Sequence, residues 1–487
     1  MNNIPKDLLE DLKNQAVDWA YGNGLTMIKK PTEEEIKNQQ VIVSHLPFSL
    51  LPSQFDQSLY QQSISLAQDF NLLVHYLSKD FNYIQNTLKD VQDDFTQSLL
   101  NIHRIIEKEG IKQNISLGIF RSDYMVHNHD SNVLPKIYQV ELNTISSSFG
   151  SLSSKVFELH KYLIERNQLK QYGYDINNHP NNDSCIEIAS SLSKAHQLYI
   201  DNNNLLSDHN NDANKNIVVL MIVQDGERNL FDQKLLEFTL WNNHKVLLIR
   251  RTLNDIYQRA TIDENLNHCL KIDNYEISVT YFRAGYTPND YHSQKDWDAR
   301  LLIERSYSIK CPTISYHLVG AKKIQQAICK QGVLEKYLEN ESIQRLRQCF
   351  TGLYSLSKED IDKETVAKAI ANPNLYVMKP QREGGGNNIY NQQVKESLET
   401  MNQDQLSSYI LMDKIVSVPF NASFVRERQL IQTEALYELG VFGLLITDKD
   451  SIIQNDQGGI LLRTKTSNSD EGGVAAGFAV IDSIIFK

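Results

Sequence analysis

The stretch Met378-Lys379-Pro380-Gln381-Arg382-Glu383-Gly384-Gly385-Gly386-Asn387-Asn388-Ile389-Tyr390 sets three successive glycines among cations, an acid and amides. Without Cβ atoms, three adjacent residues can bring their N–H groups against an anion and can open and close as a flap. Lys379 offers a phosphate partner and Glu383 a metal ligand. The reading is a loop that covers the phosphates of a nucleotide. The preceding Asn374-Leu375-Tyr376-Val377-Met378 run predicts a buried strand that presents the loop at its end. Taken alone, a glycine run fits a flexible surface turn as well. The loop lacks the Lys-Ser/Thr ending of a Walker A motif, which argues against a P-loop.

A second segment of the same character lies near the C-terminus: Leu461-Leu462-Arg463-Thr464-Lys465, then Glu471-Gly472-Gly473-Val474-Ala475-Ala476-Gly477. Arg463 and Lys465, two apart, point the same way from an extended chain, and small residues permit close backbone approach. A loop ending in a tightly packed Ala/Gly strand explains the segment equally well. Two such segments in one chain strengthen the ligand reading of both.

With 487 residues the chain is long enough for two or three domains. A net charge of −11 gives no basic face for nucleic acid or an acidic membrane, so an anionic ligand must meet locally clustered cations. The longest apolar run, Ile217 to Val223, is too short to span a bilayer, and the N-terminus has no apolar signal core. Five scattered cysteines without CxxC spacing suit reduced thiols and predict a cytoplasmic protein without a zinc site.

Along the chain, Val91, Phe95, Leu99, Ile102 and Ile106 form one helical stripe ending at Gly110. Strands are expected at Ile115 to Phe120 and Lys136 to Asn143. Asparagine accumulates between Asn177 and Asn216, which predicts solvated loop insertions at a boundary. Then apolar runs at Ile217 to Val223, Lys245 to Ile249 and Ile277 to Phe282, with a helix over Phe231 to Asn242, suggest an inserted parallel unit. Ligands favour the carboxyl ends of such strands. There stand Gln224-Asp225-Gly226-Glu227-Arg228-Asn229 and Arg283-Ala284-Gly285-Tyr286. The last runs, Tyr409 to Ile415, Leu436 to Leu445 and Gly459 to Thr464, are expected to build a second sheet.

Taken in order, Arg121-Ser122-Asp123-Tyr124-Met125, Glu141-Leu142-Asn143-Thr144-Ile145-Ser146-Ser147-Ser148-Phe149-Gly150, Glu227-Arg228-Asn229-Leu230-Phe231-Asp232-Gln233, Tyr281-Phe282-Arg283, the triple-glycine loop and Gly472-Gly473-Val474-Ala475-Ala476-Gly477 resemble the eukaryotic glutathione synthetases. The likeness covers nearly the whole chain. It implies an α/β protein with α+β elements: an ATP-grasp-like ligase with an N-terminal helical and β section over 1–214, an inserted parallel α/β substrate-binding domain over 215–320, and an ATP-grasp C-terminal part with lid loops over 321–487. It implies a homodimer that joins γ-glutamylcysteine to glycine using ATP and Mg²⁺, the final step of glutathione biosynthesis.

Carried over by position, the resemblance implies Mg²⁺ on Glu141, Asn143 and Glu383. It implies ATP contacts at Glu141, Lys322, Lys379, Glu383, Gly384, Gly385, Gly386, Asn387, Asn388, Tyr390, Met412, Asp413, Lys414, Ile415, Glu438, Lys465 and Glu471. The dipeptide and its partner fall to Arg121, Ile145, Ser146, Ser147, Ser148, Glu227, Arg228, Asn229, Gln233, Arg283, Tyr286, Arg463, Val474 and Ala475. Arg463, Lys379 and Arg121 are the expected catalytic set, and arginine suits carboxylates because its fork grips them bidentately. Glu471 stands where the family pattern leads one to expect aspartate, with Asp470 just before it. Val474-Ala475 resembles the glycine-using enzymes. The rival readings are the same chemistry on β-alanine or serine, and a nucleotide-binding regulator without turnover.

Overall fold

The computed structural model describes residues 4–30, 40–128, 134–204, 216–381, 386–470, 472–474 and 477–487. Among them the strands assemble into sheets of seven, six and four strands and two strand pairs.

The N-terminal section is mainly helical, with short strands at Thr26–Ile28, Val43–His45, Phe48–Ser49 and Ser53–Phe55. Helix α1 (Gln57–Ser78) starts at Asp56, whose carboxylate accepts from the amides of Ser58 and Leu59, and α2 (Asp94–Glu109) starts at Asp93 in the same way. Gly110, at φ 84°, ends α2, and Phe95, Leu99, Ile102 and Ile106 are buried along one side, as the stripe predicts, while Val91, the stripe's first member, is buried but precedes the Asp93 cap and lies outside the helix. Strands β1 (Ile115–His127) and β2 (Lys136–Asn143) follow as an antiparallel pair, then helices α3 (Gly150–Arg166) and α4 (Ser184–Asn204).

Helix α4 corrects the expectation of loop insertions over 177–216. Ile188, Leu192, Ala195 and Tyr199, spaced four, three and four, are all buried. That periodicity is masked in the sequence by the asparagines that crowd the helix's C-terminal end. Asn202 to Asn204 belong to the helix, while Asn210 and Asn211 lie outside the described residues.

The parallel unit is present. Strand β3 (Ile217–Ile222), helix α5 (Leu230–His244), β4 (Leu248–Arg251), β5 (Tyr275–Phe282) and β6 (Ile309–Cys311) give the parallel order β4-β3-β5-β6, extended by an antiparallel hairpin of Ala260–Asp263 and Cys269–Ile272. Every residue from Val218 to Val223 is buried, which explains the unbroken apolar run.

Helix α6 (Lys322–Ile328) leads into an antiparallel sheet of β7 (Tyr376–Pro380), β8 (Ile389–Tyr390), β9 (Tyr409–Asp413) and Leu353–Ser355. The long hairpin β10 (Gln429–Asp448) and β11 (Ser451–Thr466), with β12 (Ala479–Asp482), joins β1 and β2 in the order β12-β11-β10-β1-β2. The three C-terminal runs therefore do not share one sheet. The 409–413 strand pairs with the glycine-loop strand. The 436–445 run pairs with β1, far upstream, a non-local choice that alternation cannot reveal, and the 459–464 run lies between it and β12. Helices α1, α3 and α4 pack on β10 and β11, and every residue from Glu438 to Thr447 is buried.

If α4 is a packed helix, Leu192→Ala should lower unfolding free energy by about 2–4 kcal/mol while Gln197→Ala, on its exposed side, stays within about 0.5 kcal/mol. Urea denaturation followed by circular dichroism measures both, and equal effects would contradict the assignment.

Candidate functional site

Strand register brings the charged residues onto one face of the large sheet. Asp123 of β1 lies opposite Glu141 of β2 and Gly440 of β10, Arg121 lies opposite Asn143, and Glu438 lies opposite Arg463 of β11. Directly opposed residues in an antiparallel pair point the same way, and so do residues two apart. Arg121 with Asp123, Glu141 with Asn143, Glu438 with Gly440 and Arg463 with Lys465 thus make one polar band across four strands.

Asp123, fully buried, lies at the centre of the band. It accepts from Arg121 Nε and Nη2 at 2.6 and 2.9 Å, from Asn143 Nδ2 at 3.0 Å and from Arg463 Nη2 at 2.9 Å. Arg463 Nη2 also donates to Glu438 Oε1. Desolvation acts against the Arg463 charge, but Glu438, Asp123 and Glu141 outweigh it and hold that guanidinium charged. Desolvation pushes the Glu438 carboxyl upward.

The second sheet and α6 bring lysines to the edge of this band. Lys379 of β7, buried, donates from Nζ to the Val140 carbonyl at 2.6 Å, and Lys322 Nζ lies 3.1 Å from Glu141 Oε2. Desolvation pushes Lys379 down to about 8, partly offset by Glu141. Against desolvation, which favours its neutral form, Glu141 is held well below the usual carboxylate range by Lys322, then Lys379 and Arg463.

The carboxyl ends of β3 and β5 supply the third wall. Gln233, wholly buried, donates to Glu227 Oε2 at 3.1 Å because Arg250 Nη2 and Nε occupy its Oε1 at 2.6 and 3.2 Å. The Asn229 amide donates to Glu227 Oε1 at 2.6 Å. Asp232 accepts from Arg283 Nη2 at 3.0 Å and caps α3 through the amides of Phe149, Ser151 and Leu152. It thereby ties the Arg283 strand end to the Ile145–Ser148 loop, where Ser146 and Phe149 hold positive φ and Ser146 Oγ donates to the Phe282 carbonyl. Tyr286 donates its amide to Asp290.

At the far end Lys414 Nζ lies 3.1 Å from Asp470 Oδ1 and 5.8 Å from the Tyr390 ring centre, while Asn391 donates to Asp470 Oδ2 and Lys465 to the Asp470 carbonyl. Asn388 donates to the Tyr390 hydroxyl.

Together these walls enclose a cavity of about 360 Å³. Of the expected residues it is lined by Arg121, Glu141, Asn143, Ile145 to Ser148, Glu227, Asn229, Arg283, Tyr286, Lys379, Asn388, Tyr390, Met412 to Ile415, Glu438, Arg463, Lys465 and Val474. Lys322 and Gln233 stand behind this lining, each touching a residue in it. Arg228 turns away, its Nε donating to the Ile28 carbonyl, and Gly386 and Asn387 are not among the lining residues. Glu383, Gly384, Gly385, Glu471 and Ala475 lie outside the described residues. Sequence reasoning assigned no role to Asp123, Asp232 or Asp470, although the first two stand inside quoted motifs; each was two residues or one from an assigned partner, the strand or helix spacing that could have found it. It also missed the apolar wall of Met125, Val140, Val377 and Leu436.

Three buried polar atoms on the lining, Arg463 Nε, Arg283 Nε and Asn229 Oδ1, have no hydrogen-bond partner among the described residues, as expected of groups kept for a ligand. Asn143 commits its nitrogen to Asp123, the Arg121 carbonyl and Glu141, so its amide oxygen is what it can offer. With the Glu141 carboxylate this makes two hard oxygen donors. No group of three His, Cys, Asp or Glu residues that could hold a metal exists among the described residues. The thiols are unsuited to attack: burial raises Cys269 to about 11 and Cys329 to about 12, and raises Cys185, Cys311 and Cys349 too.

A polyphosphate favours charged Lys379. Nucleotide affinity should therefore hold below pH 8 and fall by up to about tenfold per unit above it, as binding takes up a proton. Lys379→Arg, always charged, should flatten that limb in calorimetric titrations; an unchanged slope would remove Lys379 from the phosphate site.

The family model described as "Eukaryotic glutathione synthase, ATP binding domain" matches residues 6–486. The chain is 59% identical to the glutathione synthetase of Dictyostelium discoideum over 99% of its own length and 100% of the relative's, and 38% identical to that of Homo sapiens over 98% and 97%. Its fold is similar to a glutathione synthetase like-effector from Globodera pallida in the apo form, with a TM-score of 0.77 at 21% identity, over 100% of this chain and 98% of that one. Fold, cavity and sequence agree, and the chain belongs to the eukaryotic glutathione synthase family.

Proposed function

We propose that the cavity carries out glutathione synthesis through an acyl phosphate, with the roles set out below. As a family member the chain is an ATP-dependent ligase that makes glutathione. The observation that carries the site assignment is the meeting of Arg121, Arg463 and Lys465 from one sheet with Lys379 from another around a single cavity, which two anionic substrates require.

A carboxylate is a poor electrophile. Its oxygen must first take the γ-phosphoryl group of ATP, giving ADP and an acyl phosphate; the amine of glycine then attacks the carbonyl carbon, and the C–O bond to phosphate breaks. Lys379, Lys322 and Lys465 oppose the charge of the triphosphate, and Arg121 and Arg283 grip the dipeptide. Arg463, with Nε unpartnered, faces the charge that develops on the transferred phosphoryl group and the carbonyl oxygen. Glu141 and Asn143, with Glu383 as the third candidate, would hold Mg²⁺, which would supply positive charge against the triphosphate. The acyl phosphate hydrolyses if water enters, so the glycine-loop segment and the segment around Val474 are assigned to closing the site before chemistry. The reading extends to a homodimer, on the family resemblance, and to a cytoplasmic setting, which the free cysteines suit.

A regulator without turnover would have no use for so many desolvated charges, each costly to bury unless paired. Purified protein with ATP, magnesium and γ-glutamylcysteine should release ADP only when glycine is added, and mass spectrometry should find glutathione. Preference for β-alanine or serine would keep the mechanism and change the product; ATP binding without turnover on any amine would overturn the reading. Glu141→Gln should lose at least about a hundredfold in kcat with the fold retained, since it removes a charge from the proposed metal site.

A further inference from the structure

We propose that Asp123 is the positioning residue of the site: it sets Arg121, Arg463 and the Asn143 amide in register, so that dipeptide grip and phosphoryl stabilisation are adjusted by one carboxylate. The inference rests on the ligase reading and deepens it.

Three features of the geometry support it. Asp123 has no solvent exposure and does not line the cavity, so it acts through its neighbours. Its two oxygens take four hydrogen bonds from three residues on three strands, β1, β2 and β11. The two-point contact with Arg121 Nε and Nη2 fixes the plane of that guanidinium and directs Nη1 to the Ser148 carbonyl, 3.2 Å away, at the substrate loop. On Arg463 it engages only Nη2, leaving Nε without a partner among the described residues.

The neighbouring strand is built to admit this pair. A Cβ on Gly440 would stand 2.6 Å from Asp123 Oδ1 and 2.7 Å from Arg121 Cδ, distances that real contacts do not allow. Gly440 lies directly opposite Asp123 with a conformation open to any residue, so the glycine serves space, not backbone freedom. The Asn143 contact adds the third function. A carboxylate can only accept, so Asn143 must present Nδ2 to Asp123 and keep its oxygen for another partner.

The prediction distinguishes positioning from general stability. Asp123→Asn puts an amide that can donate against two guanidiniums and removes the charge between them. It should weaken calorimetric binding of γ-glutamylcysteine by about tenfold and lower kcat by about a hundredfold, with ADP affinity within about threefold of wild type. Gly440→Ala, which leaves every charge in place but displaces the pair, should shift the same two quantities in the same direction by smaller factors. If Asp123→Asn does not fold, Gly440→Ala decides the matter. Wild-type dipeptide affinity and kcat in a folded variant would overturn the proposal, and so would equal loss of dipeptide and ADP affinity. Wild-type protein that fails to release ADP with glycine would instead overturn the ligase reading itself.

Discussion

A carboxylate removed from water must be matched by donors, and one such carboxylate, Asp123, organises this site. Four charge-assisted hydrogen bonds converge on it from β1, β2 and β11, with Gly440 of β10 leaving the room they need. The cost of burying the group is offset only while all partners stay in place. The same condition fixes the orientation of two arginines and an amide at the cavity. Rigidity of the sheet and orientation of the reacting groups are therefore one constraint.

Around that centre the charges alternate. Lys322 and Lys379 border Glu141, Glu438 borders Arg463, and Asp232 borders Arg283. Neutralised by neighbours, each cation can be kept at low exposure, and each can exchange a protein acid for a substrate oxygen at little net cost in charge. Within this set, burial pushes the Lys379 ammonium down to about 8. Three walls from three sheets meet here, so the cavity is not complete within one stretch of chain.

Much of this was legible in the sequence because local pattern and local chemistry coincide there. The α2 stripe follows a helical period, and the parallel strands from Val218 and Ile277 and the strand before the glycine loop are short runs rich in buried apolar residues. Arg121, Glu141, Arg463 and Lys465, with the amide Asn143, stood out as polar residues beside apolar strand runs, and the resemblance supplied their grouping. What the sequence hid was pairing at a distance. Nothing in Leu436 to Leu445 says that it lies beside Ile115 to Tyr124, and without that register Asp123 reads as an ordinary strand acid. Helix α4 was hidden differently: asparagine at its end outweighed a sound apolar period in its middle.

The central claim is that one cavity brings the dipeptide carboxylate within reach of the γ-phosphoryl group. The most direct test uses γ-glutamylcysteine labelled with ¹⁸O in its cysteinyl carboxylate, with ATP, magnesium and glycine, and reads the inorganic phosphate by mass spectrometry. The account predicts one ¹⁸O atom in each phosphate formed, carried across when the acyl phosphate gives up its carbonyl to the amine. Phosphate without label would mean that the carboxylate oxygen never bonded to phosphorus, and would contradict the account.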